Sequence, residues 1–149
     1  MIEAYESGAA PAFELYGLGF EHKHLPETQA YSGLTRRPIF IPSVGNFRQG
    51  MLVSVPLHLD TLPTKPSRRD LEAALASWYS PEGLVRVVPT VGDTAQRLEP
   101  EALNDTDLLE LRGFGNHDDT HALLVARLDN LGKGASGAAV QNLAIMLGN

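Results

Sequence analysis

The sequence predicts an α+β fold, with a mostly antiparallel or mixed sheet and helices packed on one face. Three observations lead there. Strand, helix, strand and helix patterns follow one another without regular strand–helix alternation, which argues against a doubly wound parallel sheet. The stretch MLVSVPLHL alternates with period two. Two apolar runs, Leu108–Phe114 and His121–Leu128, flank a Gly115-Asn116-His117-Asp118-Asp119 segment that reads as a hairpin turn.

Residues 1–12 read as a short helical start followed by a loop at Ser7-Gly8-Ala9-Ala10-Pro11. Phe13 to Phe20 alternates loosely and predicts a strand. Leu25-Pro26-Glu27 opens a helix through Tyr31, with proline in the first turn where its missing N–H does no harm, and Gly33 ends it. Pro38 to Val44 predicts another strand. In MLVSVPLHL, Met51, Val53, Val55, Leu57 and Leu59 share one face, and Ser54 and His58 the other. Pro56 in its middle predicts an edge position or a bulge. Thr61 to Pro66 is a proline-rich connection. Ser67 caps a helix with Asp70 three residues on, and Leu71, Ala74, Leu75 and Trp78 form its apolar stripe. Val85 to Val88 is a short apolar strand. The closing segment, residues 129–148, is a glycine-rich turn followed by a helix of small and apolar residues. So little charge predicts a helix covered on several sides.

Composition narrows the function. The chain has 149 residues, 43% of them hydrophobic, which suits one ordinary domain with a core of its own. A net charge of -6 argues against general nucleic-acid binding. No apolar run is long enough to span a membrane. MIEAYESGAA has acids where a signal peptide carries its basic region. There is no cysteine, so the chain holds no disulfide, thiolate metal site or thiol nucleophile, as suits a cytoplasmic protein.

Four stretches carry candidate chemistry. In GFEHKHLPE, His22 and His24 flank Lys23 between a strand and a helix. An extended backbone there would point both imidazoles one way and Lys23 the other. Paired histidines serve acid–base work near neutral pH or sit half-buried in a turn. Zinc would need a third ligand from His58, His117 or His121, and no metal-ligand spacing supports it, so no metal is expected. PSVGNFRQGM places Arg48, Gln49 and Gly50 at a strand entrance, as a site lining or as a plain hairpin connection. NHDDTH resembles a ligand cluster, but turn chemistry accounts for its Asn and Asp. The closing turn offers free N–H groups and Lys133 to an anion. It matches neither a phosphate loop nor a dinucleotide fingerprint.

Taken together, these stretches resemble one family. Asp129-Asn130-Leu131-Gly132-Lys133-Gly134-Ala135-Ser136-Gly137-Ala138-Ala139-Val140-Gln141-Asn142 is similar to the C-terminal signature of N-acetyl-gamma-glutamyl-phosphate reductases of arginine biosynthesis. His22-Lys23-His24-Leu25-Pro26-Glu27 resembles their His-basic-His-x-Pro-Glu motif. Aspartate-semialdehyde dehydrogenases share a related ending. The resemblance implies the α+β fold of the C-terminal catalytic and dimerisation domain of glyceraldehyde-3-phosphate and semialdehyde dehydrogenases. It also implies that residues 1–149 are the substrate and dimerisation half of an enzyme about twice as long. The other half would be a Rossmann-type domain that binds NADP and delivers the cysteine nucleophile.

Several roles follow from the resemblance. His22 would be the acid/base, with His24 as the fallback. Tyr16, Lys23, His24, Arg48 and Gln49 would contact N-acetyl-gamma-glutamyl phosphate. Asn130, Gly132 and Gly134 would face the cofactor, and the helix of residues 129–148 would pack on the cofactor domain. A homo-oligomer is expected, and this chain alone is expected to be inactive. Many relatives carry Pro-His-x-x-Pro-x-x-Arg-Gly in the second stretch. Here Ser43, Asn46 and Gln49 replace the histidine, second proline and arginine, a departure that resembles the shorter-chain branch. A non-catalytic binding or oligomerisation module of the same fold, and a histidine-dependent metal hydrolase, are the rival readings.

Overall fold

The computed structural model describes residues 2–90 and 97–148. Where the sequence suggests one continuous domain, the chain divides into two compact units, residues 1–48 and 49–149.

The first unit holds helix α1 (Ile2–Glu6), strand β1 (Phe13–Leu15), helix α2 (Leu25–Ser32) and strand β2 (Ser43–Gly45). β1 and β2 pair antiparallel, Phe13 opposite Gly45. Both strands are shorter than the sequence suggests. Gly17 (φ 62°) and Phe20 (φ 58°) turn the chain left-handed and end β1 early. Pro38 and Pro42 have no N–H to give a ladder, so pairing starts only at Ser43. α2 starts and stops as expected, with proline in its first turn and Gly33 at φ 68° beyond its end. Leu25 is its buried anchor.

The second unit is built on a mixed four-stranded sheet. Its strands are β3 (Met51–His58), β4 (Val85–Val87), β5 (Leu109–Gly115) and β6 (His121–Leu128), in the spatial order β3-β6-β5-β4. β3–β6 and β6–β5 are antiparallel, while β4 runs parallel to β5. The hairpin falls within a residue of its expected bounds, and β3 lies at an edge, where Pro56 removes no interior bond. The hairpin turn is held by the Asn116 side-chain oxygen, which accepts from the N–H groups of Thr120 (3.0 Å) and His121 (2.9 Å). The NHDDTH stretch is therefore explained by its turn.

Helix α3 (Arg68–Trp78) begins at a full capping box: Ser67 Oγ accepts from Asp70 N–H, and an Asp70 carboxylate oxygen accepts from Ser67 N–H at 2.8 Å. α3 lies on β5, whose glycines let it approach. A Cβ on Gly113 would stand 3.0 Å from Glu72, and one on Gly115 3.2 Å from Arg68. It turns Leu71 and Leu75 inward, but Trp78, expected on the apolar stripe, is 83% exposed at the helix end.

Because α3 covers β5 and β4, the same face of β3 stays open. Val53 and Val55, on the alternating face read from the sequence, are 42% and 47% exposed. The buried positions lie instead along β6 and beside it: Ala122, Val125, Leu128, Leu59 and Leu103. A single π-helical turn (Gly132–Ser136) leads into helix α4 (Gly137–Met146), which exposes Val140, Leu143, Ile145, Met146 and Leu147. Among the described residues no helix is long and apolar enough to cross a membrane.

Candidate functional site

In the first unit the histidine motif sits on a turn at the entrance of α2. His24 is its N-cap at φ -81°, ψ -10°, so the backbone is turned and not extended as the sequence suggests. The turn still brings the imidazoles together, with ring centroids 5.0 Å apart. His22 also meets Tyr16 edge-on at 5.9 Å and Phe40 at 5.0 Å, which fixes the ring from two sides. Lys23 and His24 are exposed, and His22 and Tyr16 are half-buried. Arg48, at the end of this unit, is exposed.

The hydrogen bonds distinguish the two rings. His24 N–H donates to Nδ1 of His22 at 3.3 Å. A neutral ring that accepts at Nδ1 carries its proton on Nε2. Nδ1 of His24 lies 3.1 Å from Glu27 Oε2, and a carboxylate only accepts, so the neutral ring of His24 carries its proton on Nδ1 and leaves Nε2 to accept. The pair thus presents one donor nitrogen and one acceptor nitrogen. Glu27 belongs to the quoted motif, but sequence reasoning gave it no task; its place three residues after His24 on a helix start was the signal.

In the second unit the closing turn is organised by a residue the sequence analysis passed over. Asp129 is 1% exposed. Its Oδ2 accepts from Asp105 N–H (2.8 Å) and from the Gln49 amide (3.0 Å), and its Oδ1 accepts from Leu131 N–H (2.8 Å). Burial works to raise this carboxyl's pKa. The N–H groups of Gly132, Asp105 and Leu131 and the Gln49 amide outweigh burial and hold it below the ordinary carboxylate value.

The other predicted residues of this unit fall out differently from the expectation. Gln49, expected to touch substrate, is buried at 8% exposure with its amide spent on Asp129 and on Asp105 Oδ1 (2.9 Å). Asn130 Oδ1 accepts from Gly50 N–H at 2.7 Å. Gly132 is required by packing, because a Cβ would stand 2.9 Å from the Thr106 carbonyl oxygen. Gly134 is exposed, and a Cβ there would meet nothing closer than 3.4 Å. Because Gly134 is exposed at this turn, a group from outside can reach its backbone. Among the described residues no group of three or more His, Cys, Asp or Glu is arranged to hold a metal ion.

Residues 3–130 match the family described as semialdehyde dehydrogenase, dimerisation domain, and the chain belongs to that family. Its curated relatives carry a more particular name. It is 51% identical over 140 residues to the N-acetyl-gamma-glutamyl-phosphate reductase 2 of a Nostoc species, covering 91% of this chain and 44% of that protein. It is 50% identical to the N-acetyl-gamma-glutamyl-phosphate reductase of a Chelativorans species, over 99% of this chain and 49% of the relative. With the N-acetyl-gamma-glutamyl-phosphate reductase 2 of Pseudomonas putida the identity is 49%, over 99% and 48%. The chain spans about half the length of the curated relatives it matches.

Proposed function

We propose that the chain is the substrate-binding and dimerisation half of a cytoplasmic, NADP-dependent N-acetyl-gamma-glutamyl-phosphate reductase of arginine biosynthesis. The observation that carries this reading is the identity of about half the residues, over 91–99% of the chain, to reductases of that name. The complementary nitrogens of His22 and His24 support it. The net reaction is acyl phosphate, NADPH and a proton giving semialdehyde, NADP and inorganic phosphate.

When bound, NADPH supplies the hydride. This chain supplies proton handling and anion binding. His22, with its proton on Nε2, is the acid/base and donates to the carbonyl oxygen as it gains charge. His24, held by Glu27, accepts the proton released by the nucleophile, a thiol carried by the remaining half of the enzyme. The exposed cations of Lys23 and Arg48, with Tyr16, bind the substrate carboxylate and phosphate. Asn130 and Gly134 line the cofactor side, and the sheet pairs two copies into a homo-oligomer.

The test is to express the full-length polypeptide that contains this chain and assay phosphate-dependent reduction of NADP with N-acetyl-glutamate semialdehyde. Activity is expected from the full-length protein and none from residues 1–149 alone. Turnover of aspartate semialdehyde instead, or no turnover with a folded full-length protein, would sink the reading.

A further inference from the structure

The contacts around Asp129 tie three distant stretches into one unit. Gln49 reaches Asp105 and Asp129 with a single amide nitrogen, at 2.9 and 3.0 Å. Both partners are acceptor-only carboxylates, so the nitrogen, not the oxygen, must face them. Asp105 is held at φ 61°, a left-handed conformation uncommon outside glycine, and its N–H donates to the same Asp129 oxygen. Gly50, which follows Gln49 in the chain, stands at φ 109°, where a Cβ would lie 2.6 Å from the Pro100 carbonyl oxygen. That bare backbone lets Gly50 N–H reach Asn130 Oδ1. At the far end of the turn, Gly134 N–H closes on the Asp129 carbonyl oxygen at 2.8 Å. The partners lie on three stretches, and the bonds from Gln49, Asp105, Gly50 and Gly134 each end on the turn that presents Asn130 and Gly134.

We infer that Gln49 and Asp129 are positioning residues, a latch that sets the Asp129–Gly134 turn in the conformation that receives the nicotinamide cofactor. This rests on the proposed function. Gln49 thereby acts from the interior of its unit, through the turn, and not by touching substrate.

The test uses the full-length polypeptide with three variants. Gln49→Met keeps the volume and removes the amide. Gln49→Arg restores donors able to reach both carboxylates. Gly134→Ala leaves the latch intact and folds, since its Cβ meets only ordinary contacts. Two readouts are taken: amide hydrogen exchange at Gly50 and Leu131, and the NADPH dissociation constant by fluorescence titration beside KM and kcat. In Gln49→Met, exchange at both amides should quicken and the NADPH constant should rise about tenfold, with KM rising more than kcat falls. Gln49→Arg should return both towards wild type, and Gly134→Ala should weaken NADPH with exchange unchanged. Faster exchange with unaltered NADPH binding would overturn the inference, and so would unaltered exchange in a folded Gln49→Met. Should Gln49→Met not fold, rescue by Gln49→Arg alone decides: wild-type exchange and NADPH affinity support the latch, and a loss of either overturns it. A wild-type enzyme that binds no NADPH would instead bring down the proposed function, and the cofactor half of this inference with it.

Discussion

Glu27 Oε2 stands 3.1 Å from His24 Nδ1 at the first turn of α2, so a carboxylate sets which nitrogen of His24 carries the proton. Replacing it, Glu27→Ala, frees the ring to take either tautomer. In the full-length enzyme kcat is expected to fall, by less than the ~10²–10⁴ typical of losing an acid–base group outright. Glu27→Asp should recover part of the loss. A steady-state comparison of the two variants decides, and equal activity of Glu27→Ala and wild type would remove the dyad from the mechanism.

His22 is expected to matter more. His22→Gln keeps a polar side chain between Tyr16 and Phe40 but has no ionisable nitrogen. Its kcat should drop by about 10²–10⁴ with a smaller change in KM. A variant in which only KM moved would recast His22 as a substrate contact.

The α3 cap gives a prediction about pH. The Asp70 carboxyl lies below its ordinary value of 3.8, first because of the Ser67 hydroxyl and then because of the Ser67 N–H. A lowered folded pKa means stability that is present above the unfolded value and lost as pH falls through the folded one. Acid titration below about pH 4 should therefore loosen this helix start in wild type. Ser67→Ala should cost about 1 kcal/mol near neutral pH and flatten that acid response. Chemical denaturation at several pH values measures both, and an unchanged acid limb in Ser67→Ala would show the cap to be idle.

The apolar face of α4 predicts association. Val140 and Leu147 are exposed, and residues 1–149 alone should self-associate through patches of this kind. Val140→Lys with Leu147→Lys is expected to leave the fold unchanged and to lower the apparent mass in light scattering at high concentration. In the full-length polypeptide the same pair should instead reduce thermal stability, if this helix packs on the cofactor domain. Unchanged scattering and unchanged stability together would leave the helix without a partner.

Much of the fold was legible because local signals agreed with it. Ser67 with Asp70, Gly33, the turn at Asn116 and the alternation of Met51–Leu59 each rest on neighbours in sequence. The strand expected over Phe13–Phe20 forms only at Phe13–Leu15 because Gly17 and Phe20 turn left-handed, and alternation alone does not reveal that. The shared face of Val53 and Val55 was legible, but period two identifies a face and not what covers it. The site followed the same division. The nearness of His22 and His24 was expected from an extended backbone and arises instead from a turn at His24, while the assignment of their protons needed Glu27 and a backbone N–H in place. The burial of Gln49 was not legible for a related reason: its partners, Asp105 and Asp129, lie 56 and 80 residues away.

That separation carries a consequence for how the chain folds. The β5–β6 hairpin and the α3 cap close over short stretches, whereas the Gln49–Asp129 and Gly50–Asn130 bonds each span 80 residues. Long loops are entropically unfavourable to close until the sheet between them exists. The Asp129 turn should then be absent from the folding transition state, and its loss should speed unfolding more than it slows folding. The part of the molecule with the most demanding geometry would be the last to form and the first to open.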